Sequence, residues 1–237
     1  KNLRLRQWYL DLFLGAGMAA CIIGILQYFD MDPIGFKKLM DPEQYYMFTS
    51  TIGNINTYTA YLSLVLGVSS VLFASEKKAG KCAWYYICLV MAFFAIITGQ
   101  SDNAYLALLA LFGFLPLYMF RSWSGIKRYA VILASFFSVI QIIDTISQAM
   151  AGRVLKIEGI FSVLVRFSGL AYIVIALWVL VGVLYLSKYT LKKQKIEVGK
   201  RTRRARAILI VGGIAAGRFG FFYVGRRWRK REHSRHR

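Results

Sequence analysis

Proline, histidine and acid are scarce in this chain, with 3 Pro, 2 His and 11 Asp+Glu in 237 residues. Both histidines, His233 and His236, fall in a basic tail of the wrong character for a fixed site. That removes histidine-based triads and leaves nothing spaced like a catalytic triad. Cysteine is equally thin: Cys21, Cys82 and Cys88 lie in or beside apolar runs, are odd in number and lack metal-ligand spacing. Neither a disulfide framework nor a zinc site is supported, and no cofactor is implied. There is no Gly-rich phosphate loop and no internal repeat. What the chain does have is apolar sequence, 57% hydrophobic against 18% charged. Those values lie outside the soluble globular class and describe a polytopic membrane protein.

Crossing roughly 30 Å of hydrocarbon takes about 20 apolar residues. Runs of that kind predict spans at 8–29, 52–75, 82–98, 104–120, 129–150 and 169–187, with a weaker seventh at 207–224. The runs are too long and too continuously apolar for barrel strands, so the expected fold is all-α, a transmembrane bundle of six to seven helices. Residues 1–206 form that domain, and 207–237 hold the doubtful seventh span, interrupted by Arg218, and a basic tail.

Orientation follows from the distribution of Lys and Arg. Segments 1–7, 76–81, 121–128 and 188–206 carry 18 of them against two Glu, whereas 29–50, 99–103 and 151–168 carry five against six acids. The positive-inside rule then puts the N-terminus in the cytoplasm and the second set of segments outside. The formal charge of +20 is accounted for in the same way, because its residues sit in short blocks bounding apolar spans and make no nucleic-acid footprint. The first span is too long for a signal peptide and no small-x-small cleavage site follows it. A start at Lys1 rather than Met fits a processed chain or a fragment.

Two polar clusters sit at the outer ends of spans, Thr51-Ile52-Gly53-Asn54-Ile55-Asn56-Thr57-Tyr58 and Thr98-Gly99-Gln100-Ser101-Asp102-Asn103-Ala104-Tyr105. Unsatisfied amides and hydroxyls cost several kcal/mol each in lipid, so such clusters need protein, a cavity or a head group to satisfy them. Asn54, Thr57, Tyr58 and Tyr61 recur at helical spacing and are expected on one face. That pattern suits interhelical packing and substrate contact alike. Ser101, Asp102 and Asn103 are placed to cap the fourth helix, where its dipole favours an anion; capping and a functional role both fit. Two acids fall within spans. Asp11 is near enough to the cytoplasmic boundary to be solvated, while Asp144, with Gln141, Thr145, Ser147 and Gln148, lies on the outer half of the fifth span. An ionisable residue at depth is a functional candidate, although Asp144 is also within reach of the interface.

The first outer loop holds Asp32-Pro33 and Asp41-Pro42, helix-start pairs that predict one or two short interfacial helices with Tyr45, Tyr46 and Phe48 in the aromatic belt. The third outer loop offers Arg153, Lys156 and Arg166 around the apolar run Gly159–Val165. A segment of that kind lies flat at an interface with its cations near phosphate, and the planar fork of Arg suits phosphate recognition.

The stretch Phe48–Leu64, with its Thr-Ile-Gly-Asn-Ile-Asn entry into an Ala-Tyr-Leu-rich helix, resembles the O-antigen ligase and polymerase family of bacterial membrane proteins. Thr98–Tyr105 is similar to that family's second marker, a Thr-Gly-Ser-Arg-Gly-Ala type turn. The resemblance covers much of residues 29–120 and implies a GT-C-like membrane glycosyltransferase in the bacterial cytoplasmic (inner) membrane. Such a protein takes part in cell-envelope polysaccharide synthesis. It moves a glycan from undecaprenyl pyrophosphate to an extracytoplasmic acceptor and needs no nucleotide sugar.

On that reading Gly53, Asn54, Asn56, Tyr58, Ser101, Asp102 and Asn103 shape an outer cavity, and Arg153 and Arg166 contact pyrophosphate. Two departures stand out. Asp102 occupies a position where many relatives have Arg, and the large outer loop that follows the seventh span in relatives is not in these 237 residues. Little transfer is therefore expected of this chain as it stands, and no residue singled out is a convincing base. The rival reading is a non-enzymatic transporter or membrane assembly partner with the polar clusters along a permeation path.

Overall fold

The computed structural model describes residues 2–39, 50–157 and 159–190. Within them lie seven α-helices: α1 (Leu3–Tyr28), α2 (Ile55–Ser75), α3 (Ala79–Thr98), α4 (Asp102–Met119), α5 (Trp123–Ala149), the short α6 (Gly159–Val165) and α7 (Leu170–Thr190). All but α6 are long and apolar enough to cross a membrane. The chain is thus all-helical among the described residues and a multi-pass membrane protein.

At three helix starts that differ from the predicted spans, a capping side chain marks the observed start. Asn54 Oδ1 accepts from the backbone N–H of Asn56 and Thr57 (2.9 and 3.1 Å), so α2 starts at Ile55 rather than 52. Ser101 Oγ accepts from Asn103 N (3.3 Å) and starts α4 at Asp102, two residues before 104. Ser122 does the same for α5 through Gly125 N (3.0 Å), which moves its start from 129 to Trp123. Each cap satisfies an N–H that the first helical turn leaves without a carbonyl. The apolar run alone hides these polar first turns.

Helix α3 is central. It packs on α1, α2 and α5, and Tyr85, Cys88, Leu89, Ala92, Phe93, Ile96 and Ile97 along it are buried. Among the described residues α4 crosses α2 and α5, and α7 rests on α5. One end of the bundle carries the α1–α2 and α3–α4 connections and the segment 150–169; it is called the loop end below. The opposite, basic end carries the α2–α3 and α4–α5 hairpins.

At the basic end Asp11 keeps the access to solvent that the sequence suggested, with its side chain 33% exposed, and has protein partners as well. Its carboxylate pairs with Lys81 Nζ (3.3 Å) and accepts from the Tyr85 hydroxyl (3.0 Å). Arg128 reaches the carbonyl of Phe73 and lies 5.6 Å from that ring centroid, and buried Lys127 sits over the Tyr185 ring at 5.0 Å. In the α2–α3 turn the Glu76 carboxylate accepts from the backbone N–H of Lys78 and Lys77, which hold it below its ordinary pKa.

Pro116 lies inside α4. It has no N–H to give to the carbonyl of Phe112, one turn back. The hydroxyl of Tyr129 on α5 donates to that carbonyl instead, at 3.1 Å. Tyr129→Phe would leave the carbonyl unsatisfied in an apolar setting and is expected to cost about 1–2 kcal/mol, read as a lower midpoint of unfolding in detergent. An unchanged midpoint would mean that the proline kink is satisfied in another way.

The orientation drawn from charge is tested by cysteine labelling in intact cells after Cys21, Cys82 and Cys88 are replaced. A cysteine at Lys38 is expected to react with an impermeant reagent and one at Lys78 to remain protected; the reverse pattern would invert the topology. The short helix predicted near Asp32 exists as a 3-10 turn, Phe36–Leu39. The residues Asp41 to Phe48, segment 207–224 and the histidine-bearing tail lie outside the described residues, as does most of loop 188–206.

Candidate functional site

At the loop end the two polar motifs meet. Ser101 Oγ donates to Asn56 Oδ1 at 2.7 Å, joining the start of α4 to the first turn of α2. Ser101 is 3% exposed, so this bond satisfies a hydroxyl that lipid could not. Both motifs involve residues in the left-handed region, Ser50 (φ 60°) just before the first and Gly53 (φ 80°) within it, and Gln100 (φ 52°) in the second. A non-Gly residue held there costs about 1–3 kcal/mol and persists only where its surroundings fix it. Gln100 has such a restraint: its Nε2 donates to the carbonyl of Lys156 at 2.7 Å, tying the α3–α4 turn to the segment before α6.

That segment and α6 after it are fastened at three further points. Leu155 N donates to the carbonyl of Tyr28 (3.0 Å), Phe161 N donates to the Tyr105 hydroxyl (3.2 Å), and the Phe161 ring packs on Tyr105 with centroids 4.5 Å apart. The Tyr28 hydroxyl in turn bonds Ser147 Oγ on α5 at 2.9 Å. The run Gly159–Val165, expected to lie flat at an interface, forms the short helix α6, whose Phe161 and Val165 are buried.

Between the end of α5 and this segment lies a pocket of about 350 Å³. Small-molecule sites usually run from about 300 to 1,000 Å³. Asp144, Ser147 and Gln148 line it from α5, Lys156 from the connecting segment, and Ser162 and Arg166 from α6 and its end. Gln148 Nε2 donates to Asp144 Oδ1 (2.9 Å). Among the described residues Asp144 forms no ion pair with Lys156 or Arg166, although all three line one cavity.

The residues singled out from sequence are distributed unevenly around this arrangement. Both arginines are exposed, but Arg166 lines the pocket, whereas Arg153 sits in the turn after α5 and does not. Gly152, in the left-handed region (φ 87°), makes the turn between α5 and Arg153. Asn56 and Ser101 are bonded to each other. Asn54 is exposed and spends its side-chain oxygen on the α2 cap, so it shares no lining with them. Asp102 and Asn103 are exposed in the first turn of α4. Tyr58 is 1% exposed and points into the bundle, against Gly24 of α1. The expected single face of Asn54, Thr57, Tyr58 and Tyr61 is split: Tyr58 is buried, Tyr61 packs on Phe13 with centroids 5.6 Å apart, and the two polar residues face out.

Lys156 and Asp144, which the motif reading did not count among substrate contacts, both line the pocket. For Asp144 the signal was the i, i+3, i+4 spacing of Asp144, Ser147 and Gln148 on one helix face. A second buried polar group was not anticipated at all. Ser50 Oγ donates to the carbonyl of Ala20 (2.8 Å) while Ser50 N donates to Gln27 Oε1, and both side chains are buried. Gln27 Nε2 and the Tyr58 hydroxyl nearby have no hydrogen-bond partner. No group of His, Cys, Asp and Glu suited to a metal ion occurs among the described residues. Comparison with family models, curated proteins and solved structures returns no match for this chain.

Proposed function

We propose that this chain is a glycan-transfer protein of the O-antigen ligase and polymerase kind, with a GT-C-like fold. The loop end faces outside the cytoplasmic membrane and handles a glycan carried on undecaprenyl pyrophosphate. The observation that carries the reading is the pocket lined by Lys156 and Arg166, tied through Gln100 to the second of the two motifs on which the resemblance rests. Two cations without an acid partner at the mouth of a bundle suit a pyrophosphate, since charge-assisted bonds from Arg to phosphate oxygens are short and directional. In transfer the same cations stabilise the charge that builds on the departing pyrophosphate as an acceptor hydroxyl attacks the sugar. Asn56 and Ser101, bonded to each other, act by holding α2 and α4 in register beneath this site.

The test uses the purified chain in nanodiscs with a glycan-bearing undecaprenyl pyrophosphate. Binding is expected, and Lys156→Gln with Arg166→Gln is expected to weaken it by roughly tenfold to a hundredfold for each charged bond lost. Transfer to an acceptor, where measured, should fall at least as far. Binding that is indifferent to both substitutions, or glycan flux across vesicles with neither binding at these cations nor transfer, would overturn the proposal.

A further inference from the structure

The pocket holds charges of opposite sign that do not neutralise one another. Salt bridges form readily when flexible side chains of opposite charge share a small cavity, so their separation here needs a cause. The anchoring supplies one. Asp144 projects from α5 and is steadied by Gln148, one turn on. Lys156 belongs to a segment whose backbone is held from other elements, by Gln100 at its own carbonyl and by Tyr28 at Leu155. Arg166 follows α6, its N–H bonded to Ser162 O at 3.1 Å, and α6 is pinned by Tyr105. The backbones that carry carboxylate and cations are thus held on separate supports, and the pocket lining suits a ligand that is itself divided into an anionic part and a hydrogen-bond-donating part.

We infer that Asp144 determines specificity by accepting hydroxyl hydrogen bonds from the sugar of a sugar phosphate, while Lys156 and Arg166 take its phosphate. The bond from Gln148 occupies Oδ1, and Oδ2 has no partner among the described residues. An ionised carboxylate is an acceptor only, and hydroxyls of a pyranose are the donors it lacks. Ser147 stands beside it on α5. A bare phosphate would satisfy the cations but would bring an anion beside Asp144 with nothing to donate to it. The inference rests on the proposed reading of the pocket as a glycan-phosphate site and adds the group that tells glycan phosphate from phosphate.

The probes are glucose 1-phosphate, inorganic phosphate and glucose, titrated against the full chain in phosphatidylcholine nanodiscs. Glucose 1-phosphate is expected to bind at least tenfold more tightly than phosphate. Asp144→Asn, nearly isosteric, should remove that preference and leave phosphate affinity unchanged or improved. Arg166→Gln should weaken both phosphorylated probes alike. Equal affinity of wild type for the two, or a preference that survives in both Asp144→Asn and Asp144→Ala, would overturn the role of Asp144. It would leave the pyrophosphate proposal standing as long as Arg166→Gln still releases the lipid-linked glycan. Loss of glucose 1-phosphate binding on changing the nanodisc lipid to phosphatidylethanolamine would assign the pocket to a lipid head group and overturn the inference as well. Retained unfolding midpoints in the variants separate these outcomes from misfolding.

Discussion

Gly125→Ala is expected to destabilise the bundle by about 3 kcal/mol or more, at the upper end of what overpacking usually costs. A Cβ at Gly125 would sit 1.9 Å from the carbonyl oxygen of Met119 and 2.8 Å from its carbonyl carbon. Both obstacles are backbone, so no rotamer change relieves them, and the α4–α5 hairpin must open. Opening it also withdraws Gly125 N from Ser122, the cap that starts α5. Gly67 and Gly113 offer the contrast, because they are helical and a Cβ there meets nothing within 4 Å. Alanine at either should stabilise by about 0.5–1 kcal/mol through helix propensity. Unfolding midpoints of the three variants in one detergent decide the matter; a Gly125→Ala protein as stable as Gly113→Ala would show that the hairpin yields freely.

The second large effect is expected at Gly24. Its missing side chain makes room for Tyr58, whose hydroxyl oxygen would lie 2.1 Å and ring Cζ 2.7 Å from an added Cβ. Tyr58 is enclosed and cannot swing into solvent, so Gly24→Ala should cost roughly 2–3 kcal/mol. Tyr58→Phe behaves differently. The hydroxyl has no partner, and an unsatisfied buried hydroxyl costs about 1–3 kcal/mol, so its removal should be neutral or stabilising. In the double variant part of the Gly24→Ala loss should return, the rest being held back by Cζ. A coupling energy of about 1 kcal/mol between the two sites would measure the relief. Tyr58→Phe that leaves stability intact but abolishes glycan binding would return Tyr58 to the list of substrate contacts and contradict its packing role.

The helices were legible because their signal is local. A run of about 20 apolar residues speaks for itself, and Asn54, Ser101 and Ser122 are residue types that announce a helix start. The distant partners were not. Nothing in the neighbourhood of Gln100 names Lys156, nor does Pro116 name Tyr129, since those contacts depend on which helices become neighbours. Charge shows the same limit. Arg153 and Arg166 looked equivalent in sequence, but the turn at Gly152 leaves one of them outside the pocket lining while α6 brings the other to it. Asp11 was read by its depth alone, and its fate was settled by Lys81, 70 residues away.

Helix α7 is the most apolar of the six long helices and the least enclosed. Its seam with α5 uses the small residues Ala130 and Ala134 against Val181, fastened by Trp178 Nε1 donating to Ser138 Oγ at 2.9 Å. Such a helix is stable in the bilayer before it meets anything, and small residues then let it approach its neighbour. During synthesis α7 can therefore leave the insertion machinery on its own and settle against α5 as a later event. The least apolar, α4, carries a proline whose orphan carbonyl depends on α5, so its residence in lipid is provisional until α5 follows. Biogenesis is then expected to run at two tempos within one chain, an early committed association of α4 with α5 and a late, separable docking of α7.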